Sequence, residues 1–146
     1  MEHRAEARID LIALASNIST LKAASKVDLL AVVKADAYGH GLVEIGLAAQ
    51  KSGVDWLGVA LLEEAISLRA HGVRIPILAW LVPPGSDFDS AAKHDIDVAV
   101  ASLVTLKEIS KLPNKPRVHI EVDTGMTRGG FLDEWDELLK ADFSKV

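Results

Sequence analysis

Five short apolar runs recur along the chain, alternating with stretches whose apolar residues fall at helical spacing, except after the third run. The runs occupy residues 29–33, 56–60, 75–80, 96–100 and 117–122. They are brief, rich in Val, Ile and Leu and nearly uninterrupted by polar residues, as expected of parallel strands covered on both faces. Between and around them, the spacing predicts helices over 13–24, 42–51, 63–70, 102–111 and 131–140. Gly72 stands just past the third helix, where a residue free to adopt positive φ ends a helix well. Ser102 offers a side-chain oxygen for the N-cap of the fourth. Residues 86–90, after Pro83-Pro84-Gly85, read as a connecting loop.

Strands separated by helices make βαβ units, and βαβ units make a parallel sheet. Five such units fit either a doubly wound sheet or part of a (β/α)8 barrel of the TIM type. No Gly-rich dinucleotide fingerprint follows the first strand, which favours the barrel. A complete barrel takes about 250 residues and rarely fewer than about 200, whereas this chain has 146. The expectation is therefore the first part of a barrel, about five βα units, in one domain.

Composition narrows the function classes. The chain is 49% hydrophobic and 25% charged, an ordinary globular balance. Its net charge of -5 and scattered basic residues argue against a nucleic-acid partner. Cysteine is absent, and the opening Met-Glu-His-Arg-Ala-Glu lacks the apolar core of a secretory signal. No apolar stretch has the length to cross a bilayer. A cytoplasmic protein with no membrane partner and no metal is the simplest expectation.

Candidate chemistry concentrates in two segments. In Ala31-Val-Val-Lys-Ala-Asp-Ala-Tyr-Gly-His-Gly41, a lysine follows a buried strand directly, at the rim where α/β active sites are built. Partial desolvation there lowers an amine's pKa and makes it nucleophilic toward a carbonyl. Read by position alone, Lys34 is as well described as a rim lysine snorkelling to solvent. In Glu121-Val-Asp-Thr-Gly-Met-Thr-Arg-Gly-Gly130, the planar fork of Arg128 can bind a carboxylate or a phenolate bidentately. A loop arginine paired with Asp123 or Glu121 is the plainer reading.

Together these segments resemble the alanine racemase family. The stretch from Val32 to Gly41 is similar to that family's cofactor-lysine signature, and Val122-Asp-Thr-Gly-Met-Thr-Arg128 to its downstream loop. The opening Ala5-Glu-Ala-Arg-Ile-Asp-Leu11 with Asn17, Leu61-Leu-Glu-Glu-Ala65 and Ile75-Pro-Ile-Leu78 continue the match in one register. The resemblance implies a pyridoxal 5'-phosphate enzyme with a (β/α)8 barrel, a following β domain and a head-to-tail homodimer, interconverting L- and D-alanine for peptidoglycan. It implies that Lys34 holds the cofactor and serves as one of two catalytic bases. By the same resemblance Tyr38 approaches the phosphate, and Trp80 lines the cofactor pocket. Arg128 meets the phenolic oxygen and the substrate carboxylate, with Met126 in a supporting place.

Two departures qualify the likeness. Glu121 stands where the family commonly has a lysine, often carbamylated, and is expected to orient Arg128 through its own carboxylate. The family's second base, a tyrosine from the C-terminal domain, has no match, because Tyr38 is the chain's one tyrosine. The resemblance thus assigns residues 1–10 to an N-terminal strand pairing outside the barrel and 11–146 to the first part of the barrel, with the C-terminal β domain absent. A truncated chain, not active alone, is expected. Other readings are a cofactor carrier without turnover and an oligomerisation remnant. Open sheet edges and a half-covered interior invite association, so the isolated chain is expected to self-associate, and light scattering showing a clean monomer would contradict this.

Overall fold

A computed structural model describes residues 5–143. Five strands form one all-parallel sheet in the order β1-β2-β3-β4-β5: β1 (Leu30–Val32), β2 (Trp56–Val59), β3 (Ile77–Ala79), β4 (Asp97–Val100) and β5 (Val118–Ile120). A doubly wound sheet reverses its strand order at a switch point. Here each strand pairs with the next in sequence, and right-handed crossovers then lay all the helices on one face. That is the winding of a (β/α) barrel, and five of its strands are present.

The register explains the core. Leu57 pairs with Ile77, Val59 with Ala79, and Ala79 with Val98. These side chains share the helix-facing side and are fully buried. Against them pack α3 (Leu42–Lys51), α4 (Leu62–Ala70), α5 (Phe88–Lys93) and α6 (Leu103–Ser110), through Ile45, Leu68, Phe88 and Ile109 among others. The opposite, concave face is only part-covered. Leu30, Trp56, Leu78 and Trp80 are half-buried there and Val32 is 42% exposed. Cover on both faces, expected from the unbroken apolar runs, is met on one face only.

At the start of the chain, α1 (Leu11–Ser25) is capped by Asp10, whose carboxylate accepts from the backbone N–H groups of Ile12 and Ala13 at 2.9 and 3.0 Å. It rests on α3 through Ile18. The expected strand over 1–10 falls partly outside the described residues, and residues 5–10 join none of the five strands.

Two elements differ from the sequence reading. The stretch expected to be a loop over 86–90 contains the start of α5, where Asp87 caps the helix by accepting from Ser90 N–H and Phe88 and Ala91 are buried. Six residues are too few to register as a period, and the preceding Pro-Pro-Gly reads as punctuation. The helix expected over 131–140 shrinks to α7 (Trp135–Leu138). Phe131 instead bridges to Val122 and is 2% exposed, so its apolar character reflects the core and not a helical face.

Gly58 in β2 fits the concave face closely. A Cβ there would stand 2.5 Å from Leu30 Cδ2 and 2.6 Å from Trp80 Cζ3. Overpacking of this kind costs about 1–3 kcal/mol. Gly58→Ala is expected to lower the free energy of unfolding by that amount, seen as a lower urea midpoint, and to shift tryptophan fluorescence as the Trp80 ring is displaced. An unchanged midpoint and spectrum would show that the ring has room to move.

Candidate functional site

All the residues singled out by sequence lie at the carboxyl ends of the strands. Lys34 and Tyr38 follow β1, Trp80 follows β3, and Glu121 and Arg128 follow β5.

The segment after β1, α2 (Lys34–Gly39), is not a right-handed helix. Ala35, Asp36, Ala37 and Tyr38 have φ of 53, 55, 51 and 57°, with ψ of 54, 41, 44 and 38°. A left-handed turn of non-glycine residues costs roughly 1–2 kcal/mol per residue, because Cβ crowds the following carbonyl. The turn is held by its own bonds. Ala37 N–H donates to Val33 O at 2.9 Å, and His40 and Gly41 N–H donate to Asp36 O at 2.9 and 3.0 Å. Leu42 N–H donates to the Asp36 carboxylate at 2.7 Å, and Ala35 N–H to the Glu64 carboxylate at 2.6 Å. Neutral bonds of this kind contribute about 0.5–1.5 kcal/mol and those to charged groups about 1.5–3, so together they offset most of the strain. Backbone held in this way clusters at functional sites.

Lys34 emerges half-buried from this turn, with its ammonium 5.5 Å from the centre of the Tyr38 ring. Among the described residues it forms no ion pair, which leaves its amine available to react. Tyr38 is 62% exposed and sits beside the lysine.

Trp80, Glu121 and Arg128 come together in a cleft of about 490 Å³, completed by Leu61, Pro83, Ala99, Ser102 and Thr105 among others. Lys34 and Tyr38 stand at the same rim but do not line this cleft. Met126 lies at the tip of the β5 loop, 72% exposed and away from the cleft walls. No ion pair joins Glu121 to Arg128, although both side chains face the same space.

The β5 loop is also held in unfavourable backbone. Thr127, a β-branched residue, has φ of 55°. Gly130 has φ of 102° and passes so close that a Cβ would lie 2.6 Å from Asp123 N. Phe131 N–H donates to Glu121 O at 2.7 Å and Asp123 N–H donates to Phe131 O at 3.1 Å, closing the loop at its base. Across the loop the Asp123 carboxylate accepts from Gly125 N–H at 2.8 Å and Thr127 N–H at 3.0 Å. Bonds from Thr127 and Gly125 hold the Asp123 carboxyl below its ordinary range.

The residue that sequence reasoning passed over is Glu64. One of its carboxylate oxygens reaches Ala35 and the other the N–H groups of Ala60 and Leu61. Its signal was an acid in the first turn of a predicted helix, but Glu63 beside it gave the same signal.

A lysine amine without an ion-pair partner among the described residues, an aromatic wall and a guanidinium, all at one strand rim, fit a phosphorylated pyridine aldehyde. The amine suits its carbonyl, and the guanidinium an anionic oxygen.

Comparisons with known proteins point the same way. Residues 9–143 match the family described as "Alanine racemase, N-terminal domain". The alanine racemase of Salinispora tropica is 45% identical over 143 residues, covering 94% of this chain and 38% of that protein. That of Beutenbergia cavernae is 46% identical over 147 residues, covering 97% and 39%. Among solved structures, alanine racemase from Streptomyces lavendulae superposes with a TM-score of 0.88 at 39% identity, over 94% of this chain and 37% of that one. The Corynebacterium glutamicum enzyme gives 0.85 at 38% identity, over 90% and 39%. The chain thus spans under two fifths of the length of these relatives.

The geometry of Asp123 fixes the sign of a pH effect on the β5 loop. A carboxyl whose folded pKa is depressed contributes stability above its unfolded value, about 3.8, and loses it as pH falls through the folded value. Amide protection of Gly125 and Thr127 is expected to hold above that range and to fall below it. In Asp123→Asn it is expected to be low at every pH. Equal protection in both proteins at neutral pH would refute the role of the carboxylate.

Proposed function

The chain belongs to the alanine racemase family by its N-terminal domain, and from that premise we propose that it supplies the lysine half of a pyridoxal-phosphate-dependent racemisation of alanine. The observation that carries this reading is Lys34, which forms no ion pair among the described residues, on a strained turn at the strand rim that Arg128 shares.

In this reading Lys34 would hold the cofactor through its amine and, as a free amine during turnover, would take or return the α-proton on the D-side of the substrate. Bound there, the cofactor would supply a conjugated ring that delocalises the charge left at Cα. Tyr38, beside Lys34, is the group that would meet the phosphate. Arg128 would hold the phenolic oxygen and the substrate carboxylate through its fork. Glu121, on the same wall, would turn Arg128 toward the cofactor in place of the carbamylated lysine common in the family. Trp80 would pack against the ring and exclude water. Met126, at the loop tip, would take a supporting place beside the site.

Inversion needs a base on each face of a planar centre. Lys34 is one, and Tyr38, the chain's single tyrosine, already has a place beside it. The second base would come from outside these 146 residues, in a homodimer of the longer enzyme. Such an enzyme would provide D-alanine for peptidoglycan in the cytoplasm. For the chain by itself, one base favours a second reading, cofactor binding without turnover.

Addition of pyridoxal phosphate is expected to give a visible absorbance band, and borohydride reduction a permanent adduct that mass spectrometry places on Lys34. Lys34→Ala should abolish both. Coupled detection of D-alanine then separates turnover from binding. An adduct distributed evenly over the lysines, or a band unchanged in Lys34→Ala, would refute the proposal.

A further inference from the structure

We infer that Glu64 is a positioning residue for Lys34, an assignment that rests on the cofactor role proposed for that lysine. Glu64 is half-buried in the first turn of α4. One carboxylate oxygen accepts from Ala35 N–H at 2.6 Å. The other accepts from Ala60 N–H at 3.0 Å and Leu61 N–H at 2.9 Å.

These contacts tie the turn after β1 to the exit from β2 and the start of α4, beyond the strand end where the pairing of β1 with β2 stops. Ala35 is the first residue of the left-handed turn, so its N–H belongs to the peptide that Lys34 itself forms. Fixing that peptide fixes the direction in which the Lys34 side chain leaves the backbone. Ala60 and Leu61 are the exit from β2, and Leu61 lines the cleft shared by Trp80, Glu121 and Arg128. A single carboxylate thus sets both the lysine and the near wall of the cleft.

The chemistry requires a carboxylate. Three N–H donors converge on two oxygens, and only an ionised carboxyl accepts at both ends. A carboxamide keeps one acceptor and turns an N–H group toward the remaining donors. Glu64→Gln can therefore satisfy Ala35, or Ala60 and Leu61, but not both sets. Glu64→Asp keeps both acceptors on a side chain one methylene shorter, which cannot span the same gap. Glu63, adjacent and exposed, makes none of these contacts, and Glu63→Gln is the matched control.

Two measurements on the full chain test the assignment. The first is amide hydrogen exchange at Ala35, which needs no cofactor. In Glu64→Gln it is expected to accelerate about tenfold, the factor corresponding to ~1.4 kcal/mol, with core amides such as Val59 unchanged. The second is the rate of borohydride-trapped capture of pyridoxal phosphate at Lys34, relative to exposed Lys51 in the same sample. Glu64→Gln and Glu64→Asp should lower that ratio several-fold, and Glu63→Gln should not.

Exchange that accelerates uniformly through the core, with the Lys34-to-Lys51 ratio unchanged, would show that Glu64 serves stability alone and would overturn the inference. Capture at Lys34 that is equally fast in all variants would overturn it too, while leaving the cofactor reading standing. No preference for Lys34 in the unmodified chain would instead overturn the cofactor reading.

Discussion

The sheet register is the constraint on which everything else rests. Pairing Leu57 with Ile77, Val59 with Ala79, and Ala79 with Val98 puts one set of side chains under the helices, and a slip of one residue would turn every one of them to the other face. Because neighbours in sequence are neighbours in the sheet, every strand ends at the same rim. Lys34, Trp80, Glu121 and Arg128 are spread over 95 positions of sequence, but the register delivers them to one edge. Packing on the helix side therefore decides where chemistry on the other side can occur.

At that rim the backbone leaves its comfortable regions. The left-handed turn after β1 and the loop after β5 both contain non-glycine residues at positive φ, and both are held by carboxylates accepting backbone N–H groups. Asp36 and Asp123 act within their own loops, whereas Glu64 acts across to a different strand exit. The contrast has a mechanical consequence. A loop braced from within keeps its shape but can swing as a unit, and only a brace from outside fixes it relative to the sheet. Of the two segments, the one carrying Lys34 has the outside brace.

Much of the architecture could be read from the chain because its strands are short, rich in Val, Ile and Leu and regularly spaced, and the three central ones bury their helix-facing side chains. The helix over 42–51 matches α3 at both ends, and Ser102 caps α6 as its position suggested, accepting from Thr105 N–H. Failures arose where length or tertiary context overrode pattern. α5 is too short to show a period, and Phe131 looked like a helix start although it is buried through a bridge to Val122. The rim placement of Lys34 and Arg128 was legible because each comes soon after a predicted strand, whereas a role for them came only from the family resemblance. The left-handed turn was not, since Ala-Asp-Ala-Tyr carries no glycine to announce positive φ. Nor was Glu64, since a sequence shows that an acid lies near a helix start but not which loop it reaches.

The concave face divides along its length, and the division bears on what the site requires. Toward the amino ends of the strands, Asp97 is 2% exposed and accepts from Arg117 Nε at 2.6 Å, with His119 Nε2 2.7 Å away. Trp56 stacks edge-on against the His119 ring, and the Arg117 guanidinium lies 5.0 Å from the Trp56 ring centre. A buried carboxylate without partners would carry a large desolvation penalty, and here its charge is answered by Arg117, just before β5, and His119, within it. Toward the carboxyl ends, the face is Gly58, Trp80 and Ala99, small or aromatic, and it opens into the cleft of Glu121 and Arg128. The polar cluster is thus satisfied by Arg117 and His119 beside Asp97, while the guanidinium and carboxylate in the cleft above it form no ion pair among the described residues. The end of the face that is internally complete holds the sheet together, and the end left chemically open is the one that faces the proposed reaction.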